Sequence, residues 1–447
     1  MADPGGVFTG TQASGSDFVG LNEVMKTYYQ EPVWENLVSD SELLDLFEVD
    51  ADQQVFESNG GRWIELAHDM ADGGGSGARK EGGYIPAATP PSYKNSKIFL
   101  KKNLMTTQMS SESMRRVKQG PYAFLTWIET DMKKRVRRHR HHIDRQAFGT
   151  GTGIIARVNQ GTPTTSLVID SAFGIAGRSK AAYLVKEGDY IRVGPNADGS
   201  SLRTGAAKVT GIDYDNLTIT IDALPTSTTD NDYIFLGDTA DNGSRKGGST
   251  SGESDSEMMG LFGIVDSATT GVLTAFQGLT RATTPNWYGF SVDAASASSG
   301  NLSESVARIL YDKIVEQGDG KPDMLLTSVS GRRNYWNTLK TDRQFVNPRG
   351  YTGGEGKLTI LLDEQDLPIR TIRKCPSEVA MLIEKASLKR WQYGDGFEWD
   401  DTTGSIWRQA SDATGVLDAF YAYGRFEAQL GCVLPAHNGI IYGIAAA

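Results

Sequence analysis

The sequence predicts an α+β fold in which a projecting hairpin, one long helix and a separate small all-β module follow one another along the chain. Three observations carry this prediction. An apolar stripe at three- and four-residue steps runs through residues 120–147. A Gly-rich polar stretch lies between two strand-like segments just before it. Short strands separated by turn signals fill residues 154–238 just after it.

The elements follow in chain order. Residues 1–50 read as an extended arm with helical pieces, in which Phe18, Leu21, Met25 and Tyr29 share a helical face and Ser41 is a candidate N-cap. Residues 55–105 read either as a long hairpin or as a flexible linker. The hairpin is favoured because strand-like runs at 62–67 and 97–100 flank the tip Gly73-Gly74-Gly75-Ser76-Gly77. In the helix, Pro121 suits the first turn, where its missing amide would be unpaired anyway. Phe124, Trp127, Ile128, Met132, Val136 and Ile143 form the stripe, and Gly149 ends it. At 1.5 Å per residue such a helix is roughly 40 Å long.

In the β module the strands are centred on Leu167-Val168-Ile169, Tyr190-Ile191-Arg192-Val193, Ala207-Lys208-Val209, Leu217-Thr218-Ile219 and Tyr233-Ile234-Phe235. Gly188-Asp189, Pro195-Asn196, Asp215-Asn216 and Pro225 punctuate them, as expected of a small barrel. Residues 301–447 read as an α/β unit. Asn301 with Glu304 resembles a capping box for a helix through Val306, Leu310 and Ile314 that ends at Gly318. Met324-Leu325-Leu326-Thr327 is a buried strand, and Ser328 or Ser330 caps the next helix. Further strands are expected at 358–362, 379–383, 389–392, 420–423, 426–433 and 440–444.

Composition excludes several classes. With 447 residues, 39% hydrophobic and 22% charged, the chain can bury a core and is not globally disordered. No run of about 20 apolar residues spans a membrane, and the N-terminus has no signal-peptide pattern. Two cysteines, Cys375 and Cys432, are too few for a disulfide framework and fit synthesis in a reducing compartment. A net charge of -10 argues against a free nucleic-acid binder, although one basic face remains compatible with an acidic body.

No catalytic motif survives inspection, so the chain is expected not to be an enzyme and to carry no cofactor or resident metal. Gly149-Thr150-Gly151-Thr152-Gly153 follows a helix, whereas a dinucleotide loop follows a strand. Gly353-Gly354-Glu355-Gly356-Lys357 has Tyr351 where a phosphate loop has its first glycine, and Leu358 where it needs a hydroxyl. The basic run at 133–142 holds Lys133, Lys134, Arg137, Arg138 and Arg140 with three of the five histidines. It has three readings: a solvated face, a surface for phosphates or an acidic neighbour, and, through His139 and His142, a metal site. A projecting hairpin with little core of its own needs a neighbouring molecule to lie on, which points to an assembling protein before an enzyme.

The order of segments, together with several local sequences, resembles the major capsid proteins of tailed phages with the HK97-type fold. The local sequences are Gly260-Leu261-Phe262-Gly263-Ile264-Val265, Thr274-Ala275-Phe276-Gln277-Gly278-Leu279-Thr280-Arg281, Pro285-Asn286-Trp287, Lys321-Pro322-Asp323-Met324-Leu325-Leu326-Thr327-Ser328, and Leu388-Lys389-Arg390-Trp391 with Glu398-Trp399. The resemblance implies an N-terminal arm at 1–54, an extended loop at 55–107 and a spine helix of the peripheral domain at 108–153. It further implies peripheral strands and a loop at 239–300, an axial domain at 301–430 and a C-terminal return to the peripheral domain at 431–447. The β module at 154–238 is then an insertion, which would protrude from the shell or bridge capsomers.

The function so implied is a shell of hexamers and pentamers enclosing double-stranded DNA, made in the host cytoplasm and located in the virion. Its partners would be other copies of itself, packaged DNA, a separate scaffolding protein, a portal and a decoration protein, with no membrane. The loop tip at Gly73, Gly74, Gly75, Arg79, Lys80 and Glu81 would lie on an adjacent subunit. The basic helix face would offset charge inside the shell, and Arg343, Arg349, Tyr351 and Lys357 would line the capsomer axis. Some relatives crosslink a loop lysine to a neighbour's asparagine; Lys80 stands at the tip, and no motif identifies the asparagine. The alternatives are an encapsulin-like nanocompartment shell and a nucleic-acid-binding module built on 133–142.

Overall fold

The computed structural model describes residues 43–50, 63–71, 73–111, 121–197, 199, 201–237, 257–267, 273–341, 359–362, 365–401, 407–412 and 415–445. The first strands are β1 (Glu48–Asp50), β2 (Ile64–Ala71), β3 (Ser92–Ile98) and β4 (Lys101–Ser110). β2 and β3 form an antiparallel hairpin in which Ile64 faces Ile98. The 28-residue helix α1 spans Pro121–Phe148, opening on its proline and closing where the Gly149 amide donates to the Gln146 carbonyl at 3.0 Å. Nothing in this helix approaches a membrane span, and no helix among the described residues is long and apolar enough to be one.

Six strands then close into a barrel: β5 (Ile154–Val158), β6 (Ser166–Asp170), β7 (Tyr190–Gly194), β8 (Ala207–Asp213), β9 (Thr218–Ile221) and β10 (Tyr233–Gly237). The period of two in the sequence explains its filling. Leu167 and Ile169 point inward with Ile191, Val193, Val209, Ile219 and Ile234, all essentially without exposure. Register shifts at Val209/Gly211 and Ile234/Phe235 bend strands into closure, and closure leaves no free edge.

Downstream come the one-turn helix α2 (Leu261–Ile264), the two-residue strands β11 (Ala275–Phe276) and β12 (Leu279–Thr280), and β13 (Phe290–Asp293). The short helix α3 (Ala294–Ser298) leads to α4 (Glu304–Gly318), β14 (Met324–Thr327) and α5 (Val329–Thr341). The remaining strands are β15 (Thr359–Leu362), β16 (Gln365–Thr371), β17 (Ala380–Ile383), β18 (Leu388–Trp399), β19 (Arg408–Asp412), β20 (Gly415–Cys432) and β21 (Gly439–Tyr442).

These strands build two large sheets. One is six-stranded, in the order β13-β21-β17-β14-β16-β15. Val306, Leu310 and Ile314 of α4 cover one of its faces, packing on Leu325, Leu382 and Ile441. Leu326, Met381, Ile383 and Ile440 on its other face join the main core with α1 and the barrel. The second sheet runs β1-β18-β20-β19, with β4 paired along the other edge of β20. Inward residues of β4 and β20, such as Met105 and Phe426, share the main core with Ile143 and Phe148 of α1.

Two expectations are corrected. Residues 388–432 pair with β4 in the sheet beside α1, and β21 pairs in the six-stranded sheet, so the expected division into 301–430 and 431–447 does not follow the strands. Alternation shows which side of a strand is buried but not which strand it pairs with. The cap of α4 is Ser303, whose hydroxyl accepts from the Val306 amide at 3.4 Å, because Asn301 stands too far upstream of the first helical residue, Glu304. The helix ends at Gly318 as expected, and Asp319 in the left-handed region follows it as the C-cap. For α5, Ser328 is the cap: its Oγ accepts from the Gly331 amide at 2.9 Å.

Candidate assembly interface

The hairpin is seated rigidly at its root. Ile64 and Ile98 are buried on Trp391 of β18, with Leu66 and Leu100 packed around them. His68 is buried in β2; its Nε2 lies 2.8 Å from the Ser96 hydroxyl and its ring 4.6 Å from that of Trp287. Burial lowers the His68 pKa from its ordinary value. The seat itself is the segment 274–287. Between β11 and β12, Gln277 and Gly278 both have positive φ (49° and 79°), the geometry of a tight hairpin turn that favours glycine. That turn presents the Gln277 carbonyl to the Lys97 amide at 2.9 Å. Trp287 donates its Nε1–H to the Phe276 carbonyl at 2.9 Å, and Lys94 reaches the Thr284 hydroxyl at 3.1 Å. The buried guanidinium of Arg281 donates to the carbonyls of Gly263 and Asp266, which ties the seat to the end of α2.

Beyond the root, residues 73–91 run out into solvent. The Thr89 amide donates to the Gly74 carbonyl at 3.0 Å, and the Gly74 amide donates to the Thr89 hydroxyl at 2.7 Å. Gly73 is required by this close approach, since a Cβ there would sit 2.4 Å from the Thr89 carbonyl oxygen. Gly75, Arg79, Lys80 and Glu81 are exposed, and the Gly83 amide closes a turn on the Lys80 carbonyl at 2.9 Å. Next to this turn stand Tyr84 and Ile85, 95% and 92% exposed, far beyond any other large apolar side chains described. Sequence reasoning missed them. The signal was an apolar pair set between Gly82-Gly83 and Pro86 in an otherwise polar loop.

The basic run on α1 divides among several partners. Arg138 donates through Nε and Nη2 to Asp189 of the barrel at 3.0 and 2.6 Å, and His142 Nε2 is 3.4 Å from the same oxygen. Burial opposes the charge on Asp189, yet His142 and Arg138 together hold its carboxyl well below the usual range. Arg140 is 3.9 Å from Asp144, Arg135 donates to the Thr106 carbonyl at 3.0 Å, and Arg137 is exposed. The side chains of Lys133 and Lys134 lie outside the described residues, as do Arg343, Arg349, Tyr351 and Lys357. His139 and His141 are buried, and burial pushes them down to about 3 and about 2; cationic neighbours, Lys374 foremost, add to the effect on His141. No group of three or more His, Cys, Asp or Glu side chains able to hold a metal occurs among the described residues. Cys375 and Cys432 are free thiols pushed up to about 12 by burial, which leaves them unreactive.

No protein-family model matches this chain, and no curated protein matches it. Among solved structures, it is similar to a chain of the cyanophage A-1(L) capsid asymmetric unit at 12% identity, over 86% of this chain and 88% of that one, with a TM-score of 0.47. It is similar to a chain from the capsid of an empty GTA particle at 11% identity, over 91% and 90%, with a TM-score of 0.40. A chain of the holo-SrpI encapsulin complex from Synechococcus elongatus PCC 7942 is similar over 35% of this chain and 56% of that one, at 12% identity and a TM-score of 0.23.

Proposed function

We propose that the chain is the major capsid protein of a tailed phage and that its work is done by its interfaces. The observation that carries this reading is the finger at 73–91: it is anchored to its own body at the root and presents Tyr84 and Ile85 with almost no cover. Burying a Tyr- or Ile-sized side chain against a neighbour contributes roughly 1.5–3 kcal/mol. A closed symmetric shell repeats that contact at every copy, so modest contacts suffice.

In this reading copies form hexamers and pentamers and the six-stranded sheet unit surrounds their axis, with the segment from 343 to 357 at the centre. The tip residues Gly73, Arg79, Lys80 and Glu81 lie over an adjacent subunit, and the barrel is an insertion in the peripheral domain. The shell encloses double-stranded DNA. A scaffolding protein, a portal and a decoration protein are its partners, and it is made in the host cytoplasm and resides in the virion. The role is structural, without catalysis. The reading as a nucleic-acid module on 133–142 is weakened by Arg138 and Arg140, whose charge meets Asp189 and Asp144 within the chain.

Deleting residues 73–83 tests this. Negative-stain electron microscopy of the full-length protein is expected to give closed shells of uniform diameter, and the deletion is expected to give folded, unassembled protein with a native circular dichroism spectrum. Intact shells from the deletion would overturn the assignment of the tip. Particles holding a cargo protein in place of DNA would assign the encapsulin-like alternative.

A further inference from the structure

Three elements meet behind the barrel: the second half of α1, the connection between β6 and β7, and the turn at 372–378 between β16 and β17. From the barrel side, the Ser179 amide donates to Glu378 at 2.9 Å, Lys180 Nζ to the Cys375 carbonyl at 3.3 Å, and the Ser377 amide to the Ser179 hydroxyl at 3.3 Å. From the turn to α1, Lys374 Nζ donates to the His141 carbonyl at 2.7 Å and lies 3.8 Å from Asp144. From α1 to the barrel, Arg138 and His142 hold Asp189. The barrel is thus fastened both to the helix and to the six-stranded sheet, and His141 sits at the centre of the joint, 7% exposed.

We propose that this joint is an acid-sensitive latch, in which a neutral His141 allows the three elements to close and its protonation releases the 372–378 turn, and with it the barrel, from α1. The charges explain why. Lys374 from the turn, Lys186 from the barrel connection and Arg145 from its own helix all oppose a positive charge on His141, as does His142 whenever it is protonated. The carboxylates of the joint are already engaged: Asp144 by Arg140 and Lys374, Asp189 by Arg138 and His142, Glu257 by Arg145, and Glu378 by the Ser179 amide. His141 Nδ1 is buried and has no acceptor among the described residues. A proton placed there gains no hydrogen bond, repels the Lys374 ammonium and weakens its bond to the His141 carbonyl. Opening lets the imidazole return to its ordinary value near 6.5. The latch is therefore at full strength above about pH 6.5 and weakens as the pH falls below it. The barrel itself has an apolar, closed interior and stays folded when the joint opens.

The latch lies within one chain, so its test needs no assembly. Amide hydrogen exchange of the full-length protein is followed from pH 7.5 to pH 4.5, corrected for intrinsic rates. Peptides covering 138–146, 176–189 and 372–379 are expected to lose protection together by about tenfold or more, while β5 to β10 keep theirs. His141→Gln removes the proton acceptor and keeps the Lys374 clasp, so it is expected to move the opening to lower pH by at least one unit relative to the unmodified chain. Lys374→Met removes the clasp on the His141 carbonyl and is expected to leave 372–379 less protected already at pH 7.5. Opening of His141→Gln at the same pH as the unmodified chain, or simultaneous loss of protection in the barrel strands, would overturn the proposal. Protection of the barrel strands at pH 7.5 reports in the same experiment that each variant is folded.

Discussion

Arg145 and Glu257, 112 positions apart, close on each other inside the protein through two hydrogen bonds of 3.0 and 2.5 Å, with side chains 1% and 7% exposed. The pair joins the end of α1 to the point where the chain returns after the barrel, so it fixes how the barrel's two attachments approach each other. The side-chain amide of Gln146 reinforces it: its Nε2 donates to Asn103 of β4 at 2.8 Å and its Oε1 accepts from the Met258 amide at 3.4 Å. Arg145→Ala strands a buried carboxylate and is expected to cost about 3–5 kcal/mol. Arg145→Lys is expected to recover little, since an ammonium cannot match both carboxylate oxygens. Urea denaturation of the two variants checks both statements through the midpoint at unchanged slope.

The seat of the hairpin makes a second prediction. Trp287 covers His68, donates to the Phe276 carbonyl and is 2% exposed. Trp287→Ala is expected to cost about 3–5 kcal/mol and to raise exchange at 92–98, because the hairpin root loses the surface it rests on. Gly278→Ala is expected to cost about 1–2 kcal/mol, since its φ of 79° is strained for any residue with a Cβ. A Gly278→Ala variant as stable as the parent would show that the turn relaxes without moving the Lys97 contact.

A third prediction concerns acid. His139 packs edge-on against Phe397 with ring centroids 6.2 Å apart, and its Nε2 is buried without a partner among the described residues. Burial holds its pKa at about 3 in the folded chain, against about 6.5 when unfolded. The unfolded state therefore binds the proton first. The contribution of a neutral His139 is complete above about pH 6.5 and is lost as the pH falls, at up to about 1.4 kcal/mol per pH unit until the folded value is reached. His139→Leu is expected to flatten the fall in urea midpoint between pH 7 and pH 5, by roughly 2 kcal/mol in free energy. An unchanged pH slope would assign the acid sensitivity to other groups.

These residues also mark what the sequence makes legible. The proline start, the apolar stripe and the glycine stop of α1 are local signals, and the helix lies within one residue of where they place it. The barrel strands show their alternation because each is half buried, as Leu167 and Ile169 are. Pairing is different. β4 and β20 share ten residues of register across more than three hundred positions, and nothing in either strand names the other. The same holds for charge. The run at 133–142 looks like one basic face because Asp189, which meets Arg138, is distant in sequence. A histidine in such a run reads as solvated, whereas His139 and His141 face the core. Tyr84 and Ile85 were overlooked for the opposite reason, since apolar residues are ordinarily read as core.

The tip yields the last prediction, which separates folding from assembly. Tyr84 and Ile85 touch almost nothing in their own chain, so replacing both with serine is expected to change monomer stability by no more than about 0.5 kcal/mol. If they bury on a neighbour, the double variant loses roughly 3–6 kcal/mol per contact. The protein concentration needed for shells then rises at least a hundredfold, since about 1.4 kcal/mol is one factor of ten. Light scattering against concentration reads the threshold, and urea denaturation reads the fold. A raised threshold with unchanged denaturation places the apolar pair in the interface; an unchanged threshold removes it and leaves the finger's contacts to its backbone and charged residues.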